Sequence, residues 1–126
     1  MAQQPLNTYR TISGIVSTTD TEVYRTKTGY TSIVLYAQIA NTGVGIGTVT
    51  FYHQRELRSN SGITTTKTEV IKNGLVPDND TLIVLEGRLV LERTALKTDS
   101  IVMSGISSSV PNDLKYVISI LETLNQ

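Results

Sequence analysis

His53 is the only histidine in the chain. A neutral imidazole can bind a metal or move a proton near neutral pH, so chemistry would be sought there first. The chain contains no cysteine, which excludes disulfides and thiolate metal sites, so a metal on His53 would need carboxylates to complete its shell. His53 sits where Val49, Phe51 and His53 alternate with Thr50 and Tyr52. That pattern reads as a strand carrying a hydrogen-bonded or surface histidine. Serine and aspartate are plentiful enough to sketch a Ser-His-Asp triad, but no nucleophile elbow or other local signature supports one.

Paired carboxylates are the other route to hydrolysis. Most acidic residues fall in turns or at strand ends, where solvation and turn formation account for them. Asp78-Asn79-Asp80 matches part of a calcium loop, but the remaining ligands at their fixed spacing are missing, and the segment reads as a turn. Gly43-x-Gly45-x-Gly47 has the spacing of a phosphate cradle without the helix that must follow it; it reads as a flexible hairpin loop. Tyr24, Tyr30, Tyr36 and Tyr52 could stack on a sugar, yet they stand beside apolar residues in alternating segments. Core or interface packing is the commoner use of such tyrosines. The residues therefore predict no catalytic group, no metal site and no cofactor.

The elements that would position these groups are strands. Period-two alternation recurs from about residue 9 to residue 124, broken by Gly, Asn, Asp and Ser. Candidate strands are Tyr9 to Val16, Thr21 to Arg25, Thr31 to Ala40, Thr48 to Gln54 and Lys67 to Lys72. They continue with Thr81 to Glu86 and Arg88 to Arg93, kinked or separated at Gly87, then Ser100 to Ile106 and Leu114 to Leu124. In Thr31 to Ala40, alternation puts Ile33, Leu35, Ala37 and Ile39 on one face. Arg55 to Thr66 is the most polar stretch, with a loop tip at Arg58-Ser59-Asn60-Ser61-Gly62; Asn73-Gly74 and Pro77 to Asp80 read as turns. The apolar run Leu82 to Leu85 predicts burial on both faces or a crossing between sheets. Leu114 to Leu124 also fits helical spacing, but Tyr116-Val117-Ile118-Ser119-Ile120 is dense in β-branched and aromatic residues and predicts a strand.

Eight or nine strands without a crossover helix predict an all-β, antiparallel β-sandwich. Strand number favours a jelly roll, with an immunoglobulin-like arrangement as the alternative. The 126 residues fit one domain able to bury a core, read as a polar N-terminal arm over residues 1–8 and a sandwich over residues 9–126. Eleven basic residues balance eleven acidic ones, and the basic ones are scattered singly. Nucleic acid and anionic membrane are poor partners for such a surface, whereas near-zero net charge suits a protein that assembles. No secretory signal or membrane-spanning run is visible, so the expectation is synthesis as a soluble protein inside a cell.

Thr21 to Leu35 (TEVYRTKTGYTSIVL), leading to Gln38-Ile39-Ala40-Asn41, resembles a module of virion structural proteins in tailed bacteriophages, including marine and cyanobacterial ones. The shared pattern is a short T-x-x-Y strand, a Gly-containing turn, a T-x-I-V-L strand and an A-N strand end. Leu75-Val76-Pro77, Leu85 to Glu92 and Val117 to Glu122 extend it over about residues 18–124. Many such modules carry a proline before the turn glycine, where this chain has Lys27-Thr28.

The resemblance implies a structural virion protein without enzyme activity, made in the host cytoplasm and carried in the virion. The expected role is capsid decoration or cementing through protein–protein contacts; a neck or tail component and a host-carbohydrate-binding module are the alternatives. Expected partners are other virion proteins of capsid, neck or tail and further copies in a homo-oligomer. Candidate interaction residues are Gln3, Gln4, Pro5 and Leu6 of the arm, with Tyr30, Ile46, Arg58 and Asn60 at turns and loops.

Overall fold

The computed structural model describes residues 7–107 and 113–125. Eight strands follow one another: β1 (Asn7–Ile15), β2 (Thr21–Arg25), β3 (Tyr30–Asn41), β4 (Gly47–Ser59), β5 (Gly62–Val76), β6 (Thr81–Leu91), β7 (Lys97–Ser107) and β8 (Leu114–Leu124). They form two four-stranded sheets, ordered β1-β8-β3-β6 and β2-β7-β4-β5, in which every pairing is antiparallel.

This order is a jelly roll. β1 pairs with β8, β2 with β7, β3 with β6 and β4 with β5, as if one long ribbon closed at the β4–β5 hairpin had been rolled upon itself. The β3–β8 and β4–β7 pairings then join successive layers of the roll. An immunoglobulin-like sandwich would instead pair the first two strands with each other.

The core lies between the inner faces. Val34, Ile39, Ile118 and Ile120 from the first sheet meet Val49, Phe51, Ile101 and Met103 from the second, all fully buried. Phe51 stands opposite Met103 in the β4–β7 register; truncating such a buried aromatic to alanine costs about 3–5 kcal/mol.

Several local expectations change for physical reasons. Inward-facing residues of β3 are Ser32, Val34, Ala37, Ile39 and Asn41, because a register shift between Val34 and Tyr36 turns the alternation over at Leu35. Its counterpart on β6 is Gly87, at φ +126, so residues 81–91 form one strand with a bulge, the kinked rather than the separated arrangement. β6 is an edge strand with Ile83 exposed, not one buried on both faces.

Asn73 likewise marks a bulge rather than a strand end. Its φ is 50, and its amide donates to the Thr50 hydroxyl at 3.1 Å, so β5 continues to Val76. The polar stretch from Arg55 to Thr66 is mostly strand, with the turn confined to Asn60 and Ser61. The glycine-rich segment is no hairpin loop: β3 and β4 belong to different sheets, and residues 42–46 cross between them. The buried Asn41 side chain pins that crossing, donating to Gly45 O at 2.9 Å and Val76 O at 3.0 Å and accepting from Gly43 N at 3.0 Å.

Antiparallel alternation sorts the connections into two ends. Residues 16–20, 42–46 and 77–80 lie at one end, called upper here, and residues 26–29, 60–61 and 92–96 at the other, lower end, where β1 begins and β8 finishes.

Candidate functional site

Two buried carboxylates could do chemistry, and both are engaged. Glu122 on β8 faces the core and accepts the Tyr24 hydroxyl from the opposite sheet at 2.5 Å; that hydroxyl also lies 2.7 Å from Ser32 Oγ. Lys27 Nζ stands 3.3 Å and Arg10 Nε 3.6 Å from the other carboxylate oxygen. Burial pushes the Glu122 carboxyl up, but the Tyr24 and Lys27 hydrogen bonds and the nearby cations outweigh it and hold the group below the usual carboxylate range. Burial, followed by the adjacent Glu122, pushes the Tyr24 phenol far above its ordinary value.

Asp99 on β7 is fully buried and is held by a fork from Arg55 on β4, at 2.7 and 2.8 Å. The Glu92 amide donates to it at 2.9 Å, and His53 Nε2 lies 3.3 Å away. Burial raises the Asp99 carboxyl, while Arg55, the Glu92 amide and His53 bring the net value below the ordinary one. Arg55 also reaches Glu92, which takes Lys97 on the same oxygen. His53 thus joins a structural network between β4 and β7. No described hydroxyl is hydrogen-bonded to its ring, and no group of three or more metal-ligating side chains occurs among the described residues.

The exposed surface carries a different signal. Cross-strand registers on the outer face of the first sheet align Tyr9, Leu121, Ile33 and Val90 in one row over all four strands. Tyr9 is 77% and Val90 47% exposed, while Ile33 and Leu121 between them are half-buried. Two rows further, Ser13, Val117, Gln38 and Ile83 align, and Ile83 is exposed as well. Thr11, Ser119, Tyr36 and Glu86 align between these rows, so the apolar surface is the single row Tyr9–Leu121–Ile33–Val90, whose neighbouring side chains lie close enough to touch.

A groove of about 400 Å³ opens at the lower end. The β2–β3 turn supplies Thr28 and Gly29, the β4–β5 hairpin Glu56, Arg58 and Ile63, and the β6–β7 connection Arg93 to Leu96. Glu56 is taken by Arg25 at 3.1 and 2.9 Å, and that guanidinium holds its carboxyl below the ordinary value. Arg93 donates to Thr26 O at 2.9 Å.

Tyr30, Arg58 and Asn60, predicted as interaction residues, all sit toward this lower end, while Ile46 lies at the upper end. Arg58 alone of these lines the groove. Gln3, Gln4, Pro5 and Leu6 lie outside the described residues. The Gly43–Gly47 segment and Asn60 are at opposite ends of the sandwich. Tyr24 is buried, and Tyr30, Tyr36 and Tyr52 are half-buried. The exposed tyrosine in the apolar row is Tyr9, whose sequence neighbourhood carries no signal beyond alternation.

No family model matches the chain, and no curated protein matches it by sequence. Among solved structures it is similar to a protein of Bacillus endospore appendages, described as a novel family of disulfide-linked pili. Identity there is 13% and the TM-score 0.47, over 95% of this chain and 88% of that one. It is also similar to VP2 of the infectious bursal disease virus subviral particle, at 14% identity and a TM-score of 0.39, over 95% of this chain and 33% of that one. The chain spans about a third of the length of that VP2.

Proposed function

We propose that this protein is a structural component of a virus particle, of the tailed-phage kind, that decorates or cements the shell by packing against copies of itself and neighbouring particle proteins. The observation that carries this reading is the apolar row Tyr9–Leu121–Ile33–Val90 on the outer face of a sheet. Contiguous exposed apolar surface on a small domain marks a contact face, and a rigid sheet with engaged polar groups beneath it is a suitable platform. The jelly roll is used by viral capsid domains and also by lectins, so fold alone is an analogy, and the apolar row is what supports contact with protein. Such a row favours protein contact over sugar. In this reading Gln3, Gln4, Pro5 and Leu6 of the N-terminal arm reach a neighbour, Asn7 and Thr8 being part of β1, and Tyr30 and Asn60 border the same contact region.

The test is binding to purified particles that lack the protein. Saturable binding by the wild type, lost in Val90→Glu while the domain stays folded, is the expected result. Equal binding by both proteins, or none by either, would contradict it.

A further inference from the structure

The chain has zero formal net charge, but its charge is polarised along the strands. Among the described residues, the upper connections carry Asp20, Asp78, Asp80 and Asp113 without a Lys or Arg; the lower ones carry Lys27 and Arg93 against Glu92. Arg58 and Lys97 stand at the adjoining strand ends and line the lower groove with Arg93.

Inside the groove every charge but one has a close partner. Glu56 is taken by Arg25, Lys97 by Glu92, and Arg93 by the Thr26 carbonyl. The Arg58 guanidinium makes no hydrogen bond or ion pair among the described residues and acts only as a more distant pull on Glu56. Beside it stand two exposed aliphatic side chains, Ile63 at 56% and Leu96 at 65%. The occupant this chemistry fits is a carboxylate at the tip of a narrow segment with apolar flanks.

The chain itself presents such a segment at its other end. The β5–β6 turn, Pro77 to Asp80, is exposed throughout and is held in shape by Asp80 N to Pro77 O at 3.2 Å and Asn41 N to Asp80 O at 2.9 Å. Asp80 caps the Thr81 amide at 2.8 Å, which leaves Asp78, at the tip, without a partner of its own. Exposed Leu75 precedes the turn. The groove volume lies at the small end of the range for binding pockets, about 300–1,000 Å³, which suits a turn tip better than a long peptide.

We propose that the lower groove of one copy receives the Pro77–Asp80 turn of a second copy, with Asp78 set against Arg58, so that copies associate head to tail. The inference rests on the assembly reading above and names one of its partners. The two ends cannot meet within one copy: β3, with 12 residues, separates them by roughly 36 Å at about 3.3 Å per residue. A contact between two different patches is heterologous, and it propagates into a ring or an open fibre.

Charge reversal at each end supplies the test, with light scattering and electron microscopy of the full chain. The wild type is expected to associate, and to do so less at high salt. Arg58→Glu and Asp78→Arg should each weaken association by roughly tenfold or more, as for other close charge pairs across interfaces. An equimolar mixture of the two variants should associate again, because each junction then pairs an acid with a base; this recovery also shows that both variants are folded. Single variants that associate like the wild type, or a mixture that stays apart, would overturn the head-to-tail contact while leaving the assembly reading in place. A wild type that remains a monomer at every concentration and binds no particles would overturn both. Particle binding that depends on Arg58 without self-association would transfer the groove to an acidic segment of another protein and overturn the second-copy assignment.

Discussion

Tyr24 and Glu122, on facing sheets, are joined by a 2.5 Å hydrogen bond through the core, although 98 residues separate them in the chain. The bond ties the short strand β2 to β8. It also lets a carboxylate sit inside a sandwich, because Lys27 and Arg10 supply charge from the rim.

Tyr24→Phe should therefore destabilise the domain by about 1–3 kcal/mol, the cost of leaving a buried acceptor without its donor. Urea unfolding followed by circular dichroism measures this directly. A change within experimental scatter would mean that Lys27 and Arg10 alone satisfy the carboxylate.

Arg55 is one-third exposed while Asp99 is fully buried, so removing the arginine strands a charge that solvent does not reach. Arg55→Met should cost about 2–4 kcal/mol, toward the low side for a buried pair because part of Arg55 is already in water. Adding Asp99→Leu should recover much of the loss. If the double variant is no more stable than the single one, the pair is not acting as a unit.

Both carboxylates give stability a direction in pH. The ordinary values are 3.8 for Asp99 and 4.5 for Glu122, and both fall on folding. As pH drops past those values the unfolded chain takes up protons first, so stability present at neutral pH declines below about pH 4.5. Tyr24 works in the opposite sense. Its folded value lies above the ordinary 10.0, so its contribution is complete below that value and is lost as pH rises beyond it. Thermal melts across pH should show both limbs; in Tyr24→Phe the contribution from Tyr24 ionisation to the alkaline limb should disappear.

The outer apolar row should matter for association and little for folding. Tyr9→Ser and Val90→Glu alter exposed side chains, where substitutions usually change stability by within about 0.5 kcal/mol. Equal melting temperatures with lower particle binding are expected; a large loss of stability would place these residues in the fold instead.

Much of the fold was readable because alternation is a local property. Ser100 to Ile106 and Leu114 to Leu124 read as strands and form β7 and β8, and strand number pointed to the jelly roll. The β4–β5 hairpin was less visible, because the described β5 residues from Gly62 to Val70 are all exposed and a strand wet on both faces has no hydropathic period. Which face of β3 is inside was not readable either. Both faces are apolar, and the bulge at Leu35 reverses the alternation midway. The partners of the buried acids could not be foreseen: Arg55 and Asp99 lie 44 residues apart and Tyr24 and Glu122 lie 98 apart. For the same reason the outer row, assembled from β1, β8, β3 and β6, exists only once the roll has formed. Arg58 was named as a candidate from its loop position, but its groove needs three connections from distant parts of the chain.

The central claim, that this protein acts by packing with copies of itself, is tested most directly by its mass in solution against concentration, compared with Tyr9→Ser/Val90→Glu. A wild-type mass rising above the 13.8 kDa of one chain is expected, with a folded variant rising markedly less at the same concentrations, its Arg58 and Asp78 being intact. A wild type that stays at the mass of one chain throughout, or a variant that assembles equally well, would contradict it.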